Sequence, residues 1–73
     1  MAKKGGNAVY RVTEVIGTSS SSWEDAARSA VRTASSTLRD LRIAEITKLD
    51  VKIEGGKVMQ FRARLALSFK YSA

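Results

Sequence analysis

Met59-Gln60-Phe61-Arg62-Ala63-Arg64-Leu65-Ala66-Leu67-Ser68-Phe69-Lys70-Tyr71 places an apolar residue at every odd position. The even positions are polar except Ala66. Side chains on a strand alternate faces with a period of two, so the stretch predicts a long strand with one buried face. Thirteen residues at about 3.4 Å each would reach roughly 44 Å, against a usual strand of about five or six residues. A domain of 73 residues is too small to use such a strand wholly inside its own fold. The pattern therefore predicts other copies of the chain along it.

Immediately upstream, Glu54-Gly55-Gly56-Lys57 predicts a tight hairpin, because paired glycines tolerate the positive φ such turns demand. Ile43 to Ile53 reads as the preceding strand. Strict alternation there sets Ile43, Glu45, Thr47, Leu49, Val51 and Ile53 on one side, and Ala44, Ile46, Lys48, Asp50 and Lys52 on the other. Nearer the start, Val9 to Ile16 is dominated by β-branched residues and predicts a first strand, ended by Gly17. Thr18 to Ser22 is a hydroxyl-rich turn, and both Ser21/Glu24 and Ser22/Asp25 fit the spacing of a helix-capping box. From Trp23 to about Leu41, Ala26, Ala27, Ala30, Val31, Ala34, Leu38 and Leu41 recur at spacings of three and four, predicting one amphipathic helix. Trp23 on that stripe reads as packing rather than a ligand platform.

The fold class is thus α+β, in the order β-α-β-β, with a three-stranded antiparallel sheet and one helix covering one sheet face. The other face carries Arg62, Arg64 and Lys70, and must be wet, bind something or meet another subunit.

Cysteine and histidine are both absent. A chain this short buries only about 60% of its unfolded surface and ordinarily needs a staple. Disulfides are excluded and a zinc site has no customary ligands, which leaves oligomerisation. The same absences remove common nucleophiles and the commonest general base, and nothing pairs an acid and a base in one cleft. A non-enzyme is expected. No apolar run nears the roughly 18–20 residues of a membrane span, and no signal peptide is visible, so a cytoplasmic protein is expected. Residues 1–7, with Gly5-Gly6-Asn7, read as a disordered tail ahead of a single domain over 8–73.

The formal charge is +6 and the pI about 10.2, which favours an anionic partner. Nucleic acid fits poorly, since Phe61, Phe69 and Tyr71 lie opposite the basic strand face rather than on it, where bases would stack. Arg62, Arg64, Lys48 and Lys70 suit the phosphates of a small nucleotide-like ligand. They equally suit ion pairs with Glu45, Asp50 or Glu14 across subunit contacts. Calcium takes six to eight oxygens. No Asp-rich loop supplies them, so a metal site would have to gather Asp50, Glu45 or Glu54 from several subunits.

Val-Tyr-Arg-Val-Thr-Glu-Val-Ile-Gly-Thr-Ser (9–19), Ser-Trp-Glu-Asp-Ala (22–26), Ala-Glu-Ile (44–46), Ile-Glu-Gly-Gly-Lys-Val (53–58) and Ser-Phe-Lys-Tyr (68–71) together resemble the dodecins. The likeness spans Val9 to Tyr71. It implies a sheet wrapped around its helix and a hollow homododecamer of trimers, helices outward, whose subunits pack along the far end of the third strand. It also implies a pocket at Ile43, Glu45, Lys48, Asp50 and Arg62. In flavin-binding members, which take FMN or riboflavin, a tryptophan stacks the flavin and a strand-three glutamine bonds its ring edge. Here Ile43 and Arg62 stand at those places. Asp50 stands where some bacterial members carry a basic residue that helps hold the flavin phosphate. Isoleucine has no π-face, and arginine offers only donors where glutamine offers a donor and an acceptor. The combination is similar to a subgroup that has lost the flavin pocket and takes calcium, with Asp50 and Glu45 the candidate metal ligands.

Overall fold

The computed structural model describes residues 7–70. Most of the expected tail, and Tyr71 at the end of the alternating stretch, lie outside the described residues. The elements are β1 (Tyr10–Ser19), α1 (Trp23–Ser35), β2 (Leu41–Glu54) and β3 (Lys57–Lys70). They form one sheet in the order β1-β3-β2, with both outer strands antiparallel to β3. The alternating stretch is therefore the central strand, flanked by partners along most of its length.

Odd residues of β3 face the helix, as their apolar character requires. Ala63, Leu65 and Leu67 are buried against Ala26, Ala30 and Ala34 of α1, with Val15, Ala27, Val31, Leu38 and Leu41 packed around them. Small side chains on both sides let the helix lie close to the sheet. Gly17 on β1 marks the tightest approach, since a Cβ there would stand 2.1 Å from the Ala26 carbonyl oxygen. At the hairpin, Glu54 pairs with Lys57, and Gly55 and Gly56 take φ of 59° and 76°. Two successive positive φ values define the tight turn whose twist matches that of the strands.

The helix is shorter than its apolar stripe. It stops at Ser35 rather than near Leu41. The hydroxyls of Ser36 and Thr37 donate to the carbonyls of Thr33 and Ala34, and such local bonds compete with continuing helix. Asp40 then takes φ of 58° and reverses the chain into β2, which begins at Leu41, ahead of the expected Ile43. Leu38 still packs on the core, but from the loop.

Strict alternation also fails in β2. The pairing to β3 shifts between Ile46 and Lys48, and again near each end of the strand. Ala44 and Ile46 lie opposite Leu67 and Leu65, whereas beyond the shift Leu49 and Val51 lie opposite Ala63 and Phe61. Residues directly opposite on antiparallel strands share a face. The bulge at Thr47 thus keeps apolar side chains on the helix side in both halves, and it moves Lys48, Asp50 and Lys52 onto the open face.

Thirteen helical residues cover about 20 Å, whereas fourteen strand residues cover about 47 Å. The hairpin consequently runs past the helix, leaving Ile53, Val58 and Met59 largely exposed. The radius of gyration is 15.5 Å, against about 11 Å for a compact domain of this length. One copy is a splayed sheet with unsatisfied apolar surface.

Candidate functional site on the open sheet face

The sheet face away from the helix is where the register gathers the polar side chains. Arg62 and Arg64 come from the even positions of β3, and Asp50 and Lys48 lie directly opposite them on β2. Glu45 faces Ala66 and Ile43 faces Ser68 further along the same strand pair. From β1, Thr18, Ile16 and Glu14 lie opposite Arg62, Arg64 and Ala66. Ile43, Glu45, Lys48, Asp50 and Arg62, the five residues the resemblance assigns to a pocket, therefore share one face. Strict alternation had divided them between two; the bulge at Thr47 reunites them.

Asp50 and Arg62 form the best-defined polar contact on this face. Arg62 Nε donates to Asp50 Oδ1 at 2.7 Å and Nη2 to Oδ2 at 3.1 Å. This two-pronged pairing fits the planar fork of the guanidinium. The hydrogen bond from Arg62 holds the Asp50 carboxyl below its ordinary value, helped by the charges of Arg62 and Arg64 against a smaller opposing effect of burial. The same bond raises Arg62. Both side chains are well exposed, so the pair fixes geometry more than it adds stability.

The Asp50 backbone is held as well. The Trp23 indole N–H donates to the Asp50 carbonyl at 3.0 Å, and its ring meets Phe61 edge-on, with centroids 5.2 Å apart at 75°. Ser22, rather than Ser21, caps this helix start by accepting from the Asp25 amide. Ser19 donates to the Asp25 carboxylate at 2.7 Å. Trp23 is thus a packing residue, as the stripe implied, though 39% of it stays exposed. It pins the helix start to β2 at Asp50. Sequence reasoning missed this tie and the bulge. The bulge left only a mixed signal: ahead of Thr47 the apolar residues fall at odd (Leu41, Ile43) and even (Ala44, Ile46) positions alike, and beyond it at odd ones (Leu49, Val51, Ile53).

Ile43 stands 56% exposed, with no aromatic plane to offer a ring. Among the described residues, no three acidic side chains cluster to hold a metal ion. On this face a single copy offers Asp50, already bonded to Arg62, and Glu14 and Glu45 on the two strands flanking Ala66. Among the described residues, no helix is long and apolar enough to cross a membrane.

The dodecin family model matches residues 9–72. Calcium dodecin of Mycobacterium tuberculosis is 38% identical over 63 residues, covering 86% of this chain and 89% of that protein. Among solved structures, dodecin from Streptomyces coelicolor superposes with a TM-score of 0.86 at 43% identity, covering 92% of this chain and 96% of that one. The crystal structure of the M. tuberculosis calcium dodecin, described as having a novel calcium-binding site, gives 0.78 at 39% identity, covering 89% and 93%. With the strand order, the hairpin and the helix start already matching, these likenesses leave one conclusion: the chain belongs to the dodecin family.

Proposed function

We propose that the chain assembles into a hollow homododecamer of trimers that sequesters a small ligand in the cytoplasm without catalysis. In this reading the pocket is turned away from flavin. The carrying observation is the Arg62–Asp50 pair. By the resemblance Arg62, a donor-only group, takes the position of the ring-edge glutamine, and its donors are already committed to a neighbouring carboxylate. Asp50 also presents a negative charge where some flavin-binding members place a basic residue, and Ile43 supplies no stacking plane.

Titration of FMN and riboflavin, read by fluorescence quenching, tests the reading. The unmodified protein should quench weakly or not at all. Stacks of a base on an aromatic side chain contribute about 1–3 kcal/mol each, so losing two lowers affinity by about two to four orders of magnitude. The Ile43→Trp/Arg62→Gln double variant should recover part of that loss. Near-stoichiometric quenching by the unmodified protein returns the chain to the flavin-storing members.

Calcium sequestration is the second reading, favoured by the likeness to calcium dodecin. Asp50 and Glu45 are its candidate ligands, and several copies would have to contribute oxygens to one site. Calorimetric titration with calcium chloride decides it. Heat that vanishes in both Asp50→Asn and Glu45→Gln supports the site, and no saturable heat from the unmodified assembly removes it.

A further inference from the structure

Lys48 and Arg64 lie directly opposite each other on the open face, one pair along from Arg62 and Asp50. Like charges in that relation repel, and neither side chain lies within ion-pair distance of a carboxylate among the described residues, although the charge of Arg64 is felt by Asp50. The arrangement follows from the bulge. Without the register shift at Thr47, Lys48 would lie on the helix side with Ile46. The Thr47 hydroxyl donates to the Arg64 carbonyl at 3.2 Å and ties the bulge to the strand it re-registers. Bulges of this kind re-aim side chains beside binding sites.

We infer that Lys48 and Arg64 form a seat for a phosphate-class oxyanion, the group by which the sequestered ligand is held. The inference rests on the sequestering-shell reading and names the chemistry of its ligand. Ammonium and guanidinium side by side supply two charge-assisted donors to one anion. Arg62 does not compete, because Asp50 occupies it. Carboxylates bound the seat on both sides, Glu14 and Glu45 in the row opposite Ala66 and Asp50 in the row opposite Arg62, and so confine the anion to the Lys48–Arg64 row.

Other copies of the chain are poor sources of the missing negative charge. Each brings 13 basic residues against 7 acidic ones. Of those carboxylates, Asp40, Asp50 and Glu54 already hold ion pairs and Asp25 takes the Ser19 hydroxyl, which leaves Glu14, Glu24 and Glu45 to meet a larger number of cations. A small anion from solution meets the need more directly.

The test is calorimetric titration of the assembled protein with inorganic phosphate, adenosine monophosphate and adenosine, at low and moderate salt. Phosphate and the monophosphate should bind saturably, more weakly as salt rises, and adenosine should not bind. Lys48→Gln and Arg64→Gln should each weaken phosphate binding by about tenfold or more, the scale of one lost bond to a charged group, while Lys57→Gln leaves it unchanged. Circular dichroism and light scattering should show the variants folded and assembled. Adenosine binding equal to that of the monophosphate overturns the inference, as does phosphate binding indifferent to both variants. If the unmodified protein ignores phosphate while both variants fall apart into smaller species, the pair belongs to a contact between copies, and the inference fails. None of these results touches the flavin titration, which judges the converted pocket separately.

Discussion

Asp50 does two jobs at once: its carboxylate holds Arg62 on the open face while its carbonyl takes the Trp23 indole from the helix side. The first contact is open to titration. The Asp50 carboxyl is depressed below its ordinary value of 3.8 in the folded chain, so its contribution is complete above the unfolded value. It is lost as pH falls through the folded one. The difference in denaturation midpoint between the unmodified protein and Asp50→Asn should stay constant from neutrality down to about pH 4, then close in more acid solution. A difference that persists undiminished at the acid end would show that the substitution acts through something other than the ion pair, such as the Trp23 tie.

Each element of the fold carries its own logic, and β3 carries the most. Leu67 is fully buried toward its C-terminal end, opposite Thr13 on β1 and Ala44 on β2. Leu67→Asp puts a carboxylate with no partner where water cannot reach it, at a cost of several kcal/mol, comparable to the whole stability of a small domain. Loss of cooperative unfolding and of assembly is the expected result. A soluble oligomer of unchanged size would show that the faces of β3 are assigned backwards. The element boundaries were less legible than the faces. Apolar periodicity carries on through Leu38 and Leu41, but the helix does not, because Ser36 and Thr37 spend their hydroxyls on the last turn. In β2 the apolar residues ahead of Thr47 fall on both parities, so nothing clear marked the bulge, and a two-residue period read without it misplaces the side chains that follow.

At the scale of the whole molecule, one copy is too thin to be finished. Its extents are 59 × 21 × 15 Å, and the hairpin arm leaves Ile53, Val58 and Met59 open to solvent. Large apolar side chains along an unshielded arm mark an association surface. Native mass spectrometry should therefore find a closed assembly of twelve copies, in keeping with the family's homododecamers, and no appreciable monomer. A monomeric chain at micromolar concentration would contradict the proposed assembly and the sequestering role built on it.

The sequence alone determined the order β-α-β-β, the buried face of β3, the glycine turn and the need for partners, because these rest on local periodicity and on what a short chain without cysteine or histidine can bury. It also named Ile43, Glu45, Lys48, Asp50 and Arg62, through a resemblance to a family. What only the tertiary structure decided was that these residues share one face and that Asp50 is spoken for by Arg62. The reason is a register shift of one residue at Thr47. Cross-strand hydrogen bonding sets that shift, and it reverses the facing of the side chains from Lys48 to Lys52.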